Sequence, residues 1–190
     1  LRQGDRRARQ RGREGRQGCL TRKPPTLKAR AIRLLARREH SRAELRRKLT
    51  LAIEGEAAAP EPARLESLLD ELEVKGLLSD RRFAEVVVRG SGTRYGAARI
   101  ARTLGERGVA ADLAAPLLDR LKAHEPQLAF DLWSRRFDSL PSTPQEKARQ
   151  FRFLLQRGFG PQTVHKVWKI AHERLGSDDA STRLSIDDLM

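Results

Sequence analysis

Apolar residues recur along this chain at three- and four-residue spacing, the period of a helix with one buried face. Leu65, Leu68, Leu69 and Leu72 make one such stripe, and Phe83, Ala84, Val87 and Val88 the next. Ala97, Ile100 and Leu104 follow, then Leu113, Leu117 and Leu121, then Leu128, Leu132, Trp133 and Phe137. Phe151, Leu154 and Leu155 form a further stripe, and Val164, Val167, Trp168, Ala171 and Leu175 the last. Two amphipathic runs, near 27–39 and 42–52, precede them all. The pattern predicts nine helices between Leu27 and Leu175 and nothing else.

Turn chemistry punctuates the stripes. Ser41 with Glu44, and Thr143 with Glu146, have the spacing of capping boxes, the second with Pro144 at the first helical position. Pro62, Pro126 and Pro161 are placed to open helices, since a first turn tolerates a residue without an N–H. Gly76, Gly108, Gly158 and Gly176 each follow an amphipathic run, as left-handed C-terminal caps do. The junctions echo one another: "LEVKGLLSDRRFA", "RTLGERGVAADLA" and "FRFLLQRGFGPQTVHKVW" share one rhythm, and "LLARREHSRAEL" has it without the glycine. Nine helices in about 150 residues divide into three units of three, a repeat architecture in which neighbours bury one another's faces. The predicted fold class is therefore all-α: three tandem three-helix repeats forming a curved, elongated array. The expected organisation is a disordered basic leader over 1–26 and repeats over 27–76 (with a loop near 52–62), 77–124 and 125–175. A flexible acidic tail over 176–190 completes it.

Charge changes the picture from a scaffold to a binding protein. The 190 residues carry 39 Lys and Arg against 25 Asp and Glu, a net +14. Residues 1–30 contribute +9 of this and 176–190 contribute −3, so the middle of the chain is itself strongly basic. Such a body suits a polyanion or an acidic protein groove. The same sequence narrows the remaining classes. No run of 18 apolar residues spans a membrane, and a lone cysteine, Cys19, excludes an internal disulfide and a cysteine-cluster zinc site.

No catalytic constellation emerges, and no cofactor or metal is expected. "VVVRGSGTRYG" has G-x-G-x-x-x-G spacing rather than a dinucleotide fingerprint, and its valines continue a helical stripe. His165 and His172 share a helix face but have no third ligand or positioned carboxylate. Trp133 and Trp168 fall within apolar stripes and are expected to pack in the core. What is left is the placement of basic residues on polar helix faces. Arg42, Arg46 and Arg47 (with Lys48) sit on the second helix, and Arg94, Arg99, Arg102 and Arg107 around the fifth. Arg149, Arg152, Arg157, Lys166 and Lys169 sit around the eighth and ninth. These twelve, Lys48 apart, are the candidate partner-binding residues, with Gly76, Gly108 and Gly158 as structural turns.

Four segments in order, "LLARREHSRAELRRKL", "LEVKGLLSDRRFAEVVVR", "YGAARIARTLGERGV" and "FRFLLQRGFGPQTVHKVW", resemble the RecX family of RecA regulators over about residues 27–175. The resemblance implies a non-enzymatic, cytoplasmic bacterial protein, acting as a monomer, that binds RecA and its filament on single-stranded DNA. It implies that ATP hydrolysis, strand exchange and RecA-assisted repressor cleavage are damped, with consequences for homologous recombination, DNA repair and the SOS response. Weak non-specific DNA binding is expected from the charge alone. The competing expectation is a non-enzymatic DNA-binding helix–turn–helix array, whose modules share the same rhythm.

Overall fold

The computed structural model describes residues 25–53 and 62–187, and the side chains of 25–52 and 62–174. Most of the predicted leader, and the link over 54–61, lie outside these residues. Eight helices, and no strand among the described residues, follow one another: α1 Leu27–Leu35, α2 Arg42–Ile53, α3 Pro62–Val74, α4 Asp80–Ser91, α5 Ala97–Glu106, α6 Ala111–Ser134, α7 Pro144–Gln156 and α8 Pro161–Asp187. Three buried clusters lie along them. Ala31, Leu45, Leu49, Leu69 and Leu72 close the first, formed by α1–α3. Phe83, Ile100, Leu104 and Leu118 close the second, and Phe130, Trp133, Leu154, Phe159 and Val167 the third. Each fully buried leucine contributes roughly 1.5–3 kcal/mol from the apolar area it removes from water.

Eight helices replace nine because α6 serves two repeats. Its first half buries Ala114 and Leu118 in the second core, and its second half buries Ala129, Phe130 and Trp133 in the third. Pro126, expected to open a helix, lies inside α6 together with Pro116. Packing on both flanks carries a proline that would cost an isolated helix interior about 3 kcal/mol. Of the stripe over Leu113, Leu117 and Leu121, the last two pack half-buried against the second core beside the buried Ala114 and Leu118, while Leu113 is exposed. At the other end, α8 runs through Gly176 to Asp187, so Gly176 caps nothing and much of the predicted tail is helical.

The other three glycines cap as expected, with φ of 67° at Gly76, 75° at Gly108 and 85° at Gly158. Each closes a Schellman motif. Val109 N–H donates to Leu104 O at 3.0 Å and Gly108 N–H to Gly105 O at 2.9 Å; Phe159 and Gly158 repeat the pattern onto Leu154 and Leu155. In both, the residue after the glycine and the one at the base of the turn are buried. After Gly76 the pin slips by one residue: Leu77 is half exposed and Leu78 is buried.

Of the two predicted capping boxes, that of α7 is complete. The box of α2 is half made. Ser41 Oγ accepts from Glu44 N–H at 3.0 Å, but the Glu44 carboxylate takes the Arg38 guanidinium at 2.6 and 3.1 Å. This bidentate pair lowers the Glu44 pKa. Between α1 and α3, the Lys28 and Lys75 ammonium groups both donate to Glu71 Oε1, at 2.6 and 2.5 Å, and hold its carboxyl down to about 2.

Candidate interaction surface

The repeats are joined by one device used twice. Ser41, at the N-terminus of α2, donates its hydroxyl to the Arg107 carbonyl at 2.5 Å, across 66 positions of sequence. At the N-terminus of α5, Gly96 N–H donates to the Arg157 carbonyl at 2.9 Å. Each acceptor immediately precedes a left-handed glycine, and each glycine lies against the helix start it serves. A Cβ at Gly108 would run into that of Ala43, and one at Gly158 into the Cβ and backbone of Arg99. The start of the second helix in one repeat thus receives the turn between second and third helices of the next. Gly76 lies between repeats instead, with open space where its Cβ would be. Glu125 reinforces the second junction from α6. Its carboxylate accepts the Ala97 amide at the α5 N-terminus, where Gly96 has no side chain to cap with, and the Thr163 hydroxyl at 3.3 Å in the first turn of α8.

These junctions decide what the candidate cations do. Arg42 is held internally, donating to Glu66 and Glu73 at 2.8 Å and pairing with Asp70 at 2.7 Å, which raises its pKa further. Arg99 donates to Gln156 O at 2.9 Å and lies 4.1 Å over the Tyr95 ring. Arg157 lies 3.8 Å over Phe153 and donates to its carbonyl at 3.3 Å. These three build the fold. Arg46, Arg102 and Lys169 make long, exposed pairs with Glu66, Glu106 and Glu173 at 3.6, 3.7 and 4.0 Å. Such pairs are worth about 0–1 kcal/mol and exchange readily for another partner.

Arg47, Arg94, Arg107, Arg149, Arg152 and Lys166 form no ion pair within 4 Å among the described residues, and all six are exposed. Arg107 and Arg149 rest over Phe83 and Phe137, at 5.7 and 5.5 Å, and Arg94 lies 6.0 Å from Tyr95. Stacking a guanidinium on a ring orients it while leaving its N–H edge for a carboxylate or phosphate. The available positive charge is thus spread over α2, the α4–α5 link, the α5–α6 turn, α7 and α8.

The glycine-rich run is no phosphate loop: α4 continues through Gly90, and Val87 and Val88 pack on the second core. His165 and His172 are exposed, and no cluster of metal-ligating side chains occurs among the described residues. No helix among them is long and apolar enough to cross a membrane. Trp133 is buried as expected, and Trp168 is half-buried. One feature escaped the sequence. The buried Gln150 accepts both indole N–H groups on its Oε1, at 2.8 Å from Trp133 and 3.1 Å from Trp168, and donates to Ser139 O at 3.0 Å. A glutamine on an otherwise apolar face of α7 was the only signal of it.

Serial three-helix units locked in one register, carrying basic side chains on several helices, define a helical repeat protein. Family models for the first, second and third three-helix domains of RecX match residues 28–59, 79–118 and 124–168. The chain belongs to the RecX family. It is 44% identical over 149 residues to the regulatory protein RecX of Leptothrix cholodnii, covering 78% of this chain and 91% of that one. It is 41% identical over 161 residues to that of Ralstonia nicotianae, covering 85% and 98%. Among solved structures, RecX from Lactobacillus salivarius superposes with a TM-score of 0.60 at 20% identity, over 76% of this chain and 94% of that one.

Proposed function

We propose that this protein binds RecA and its filament on single-stranded DNA in the bacterial cytoplasm and restrains it. ATP hydrolysis, strand exchange and assisted repressor cleavage are damped, and recombination, DNA repair and the SOS response are regulated through them. The observation that carries the reading is the twice-used junction, Ser41 on Arg107 and Gly96 on Arg157, which sets the spacing of the units bearing the exposed cations. Units at fixed spacing suit a partner whose own subunits repeat. Engaging several at once gains avidity from individually weak contacts, and opposes any rearrangement of those subunits.

A DNA-reading array fits less well, because α8 spends Val164 and Val167 on the core rather than on base edges. The exposed cations still give weak, salt-sensitive affinity for any DNA. Co-sedimentation with RecA–single-stranded DNA filaments, beside the same DNA alone, tests the reading. Retention on filaments at a salt concentration that releases the protein from bare DNA is expected; equal retention on both overturns it.

A further inference from the structure

Phe151, His165 and Trp168 form a cluster on α7 and α8, in which Phe151 and Trp168 pack against the third core while remaining only half-buried. The buried members of that core include Trp133, Phe130, Leu154, Phe159, Val164 and Val167. His165 is exposed. Their ring centroids stand 5.6–6.3 Å apart, and Lys147 Nζ sits 5.6 Å from the Trp168 centroid. The Trp168 indole is tied to Gln150, which is itself tied to Trp133 and Ser139, so the platform is set before any partner arrives. Little ordering cost remains to be met on binding.

The rim is basic. Lys147 lies over Trp168, and Arg152 and Lys169 directly follow Phe151 and Trp168 on these two helices, against Glu146 and Glu173. Glu146 is occupied in the α7 capping box and Glu173 lies beside Lys169. An aromatic, half-exposed centre flanked by cations is the composition of an interface hot spot. Its charge selects an acidic partner.

We propose that this aromatic patch is the anchoring point of the chain on its protein partner, taking an apolar side chain flanked by Asp or Glu residues. The inference rests on the proposed function for the partner's identity as RecA. Ring geometry favours a protein segment over nucleic acid. The three rings are tilted by 57°, 41° and 79° to one another, so they offer no parallel faces for successive bases. They offer edges and faces at differing tilts instead, which suits one branched or aromatic side chain.

The test uses the full chain with Lys147→Glu and His165→Glu combined, both exposed positions, and Arg33→Glu on α1 as a distant charge control. Affinity for RecA–single-stranded DNA filaments and for bare single-stranded DNA is measured at one salt concentration, with helicity and thermal midpoint checked for each variant. The proposal expects the double variant to lose tenfold or more for filaments, while Arg33→Glu stays within twofold of the wild type. A photo-crosslinker at position 165 is expected to capture an acidic RecA segment. A double variant that still binds filaments like the wild type overturns the anchor while leaving the proposed function intact. A parallel tenfold loss on bare DNA, or crosslinking to DNA, overturns it in favour of a nucleic-acid site. Failure of the wild type to bind filaments removes the proposed function and this inference with it.

Discussion

Ser41 holds two elements with one hydroxyl: its oxygen accepts the Glu44 amide in the first turn of α2, and its proton goes to the Arg107 carbonyl one repeat away. Serine does this without strain because a hydroxyl both donates and accepts. Ser41→Ala removes a cap worth about 1 kcal/mol and strands a carbonyl at a half-buried junction for about 1–3 kcal/mol more. Urea unfolding should show a loss of about 2–4 kcal/mol, from the sum of the same two effects. A loss under about 1 kcal/mol, the value of a cap alone, would mean the junction bond contributes nothing.

The left-handed glycines should not be equivalent. Gly76→Ala meets open space and bears only the cost of a left-handed alanine, about 1 kcal/mol. Gly158→Ala must also displace the Arg99 backbone, adding overpacking of about 1–3 kcal/mol. Thermal midpoints should therefore fall further for Gly158→Ala than for Gly76→Ala; the reverse order would contradict the docking described for Gly158.

His40 makes the first repeat acid-sensitive. It is buried, its Nδ1–H donates to Arg38 O at 2.9 Å, and its Nε2 accepts from Lys48 Nζ at 3.2 Å. Burial lowers its pKa, the bond to Arg38 O opposes this, and the Arg38 and Lys48 charges add to the lowering against Glu44. The unfolded chain thus takes up a proton at a pH where the folded one does not, so stability falls as pH drops below the ordinary histidine value of about 6.5. Denaturant midpoints from pH 7 to 5 should fall less steeply for His40→Gln than for the wild type. An unchanged slope would show that His40 is not the group titrating.

Gln150→Leu fills the volume but leaves two indole N–H groups without their acceptor and the Ser139 carbonyl without its donor. With about 1–3 kcal/mol for each buried group left unpaired, a net loss of about 2–4 kcal/mol is expected, since Trp168 is half-buried and partly re-solvated. Nitrogen-labelled spectra should show both indole signals moving together; movement of only one would deny the shared acceptor.

Local chemistry was legible in the sequence and long-range pairing was not. Gly108 and Gly158 announce their turns because a left-handed residue at a helix end favours glycine. Nothing local says that their preceding carbonyls belong to Ser41 and Gly96. The break expected at Pro126 is absent because cores on both flanks of α6 outweigh a proline's local penalty. The echo that suggested one repeated junction also mixes two kinds, since Gly76 shares the turn geometry of Gly108 and Gly158 but docks on nothing. Basic positions could be recognised, but not their employment: Arg42 is spent on Glu66, Asp70 and Glu73, and Arg99 on the Gln156 carbonyl, partners that only the tertiary fold supplies, while Arg157 stacks on Phe153 four residues earlier.

The most direct test of the account is RecA's single-stranded-DNA-dependent ATP hydrolysis while this protein is titrated at fixed salt. Regulation through several subunits at once predicts strong inhibition well below one molecule per RecA, relieved as salt screens the cationic contacts. Unchanged hydrolysis at equimolar protein, with tight binding to DNA alone, would contradict it and return the basic helices to a DNA-binding role.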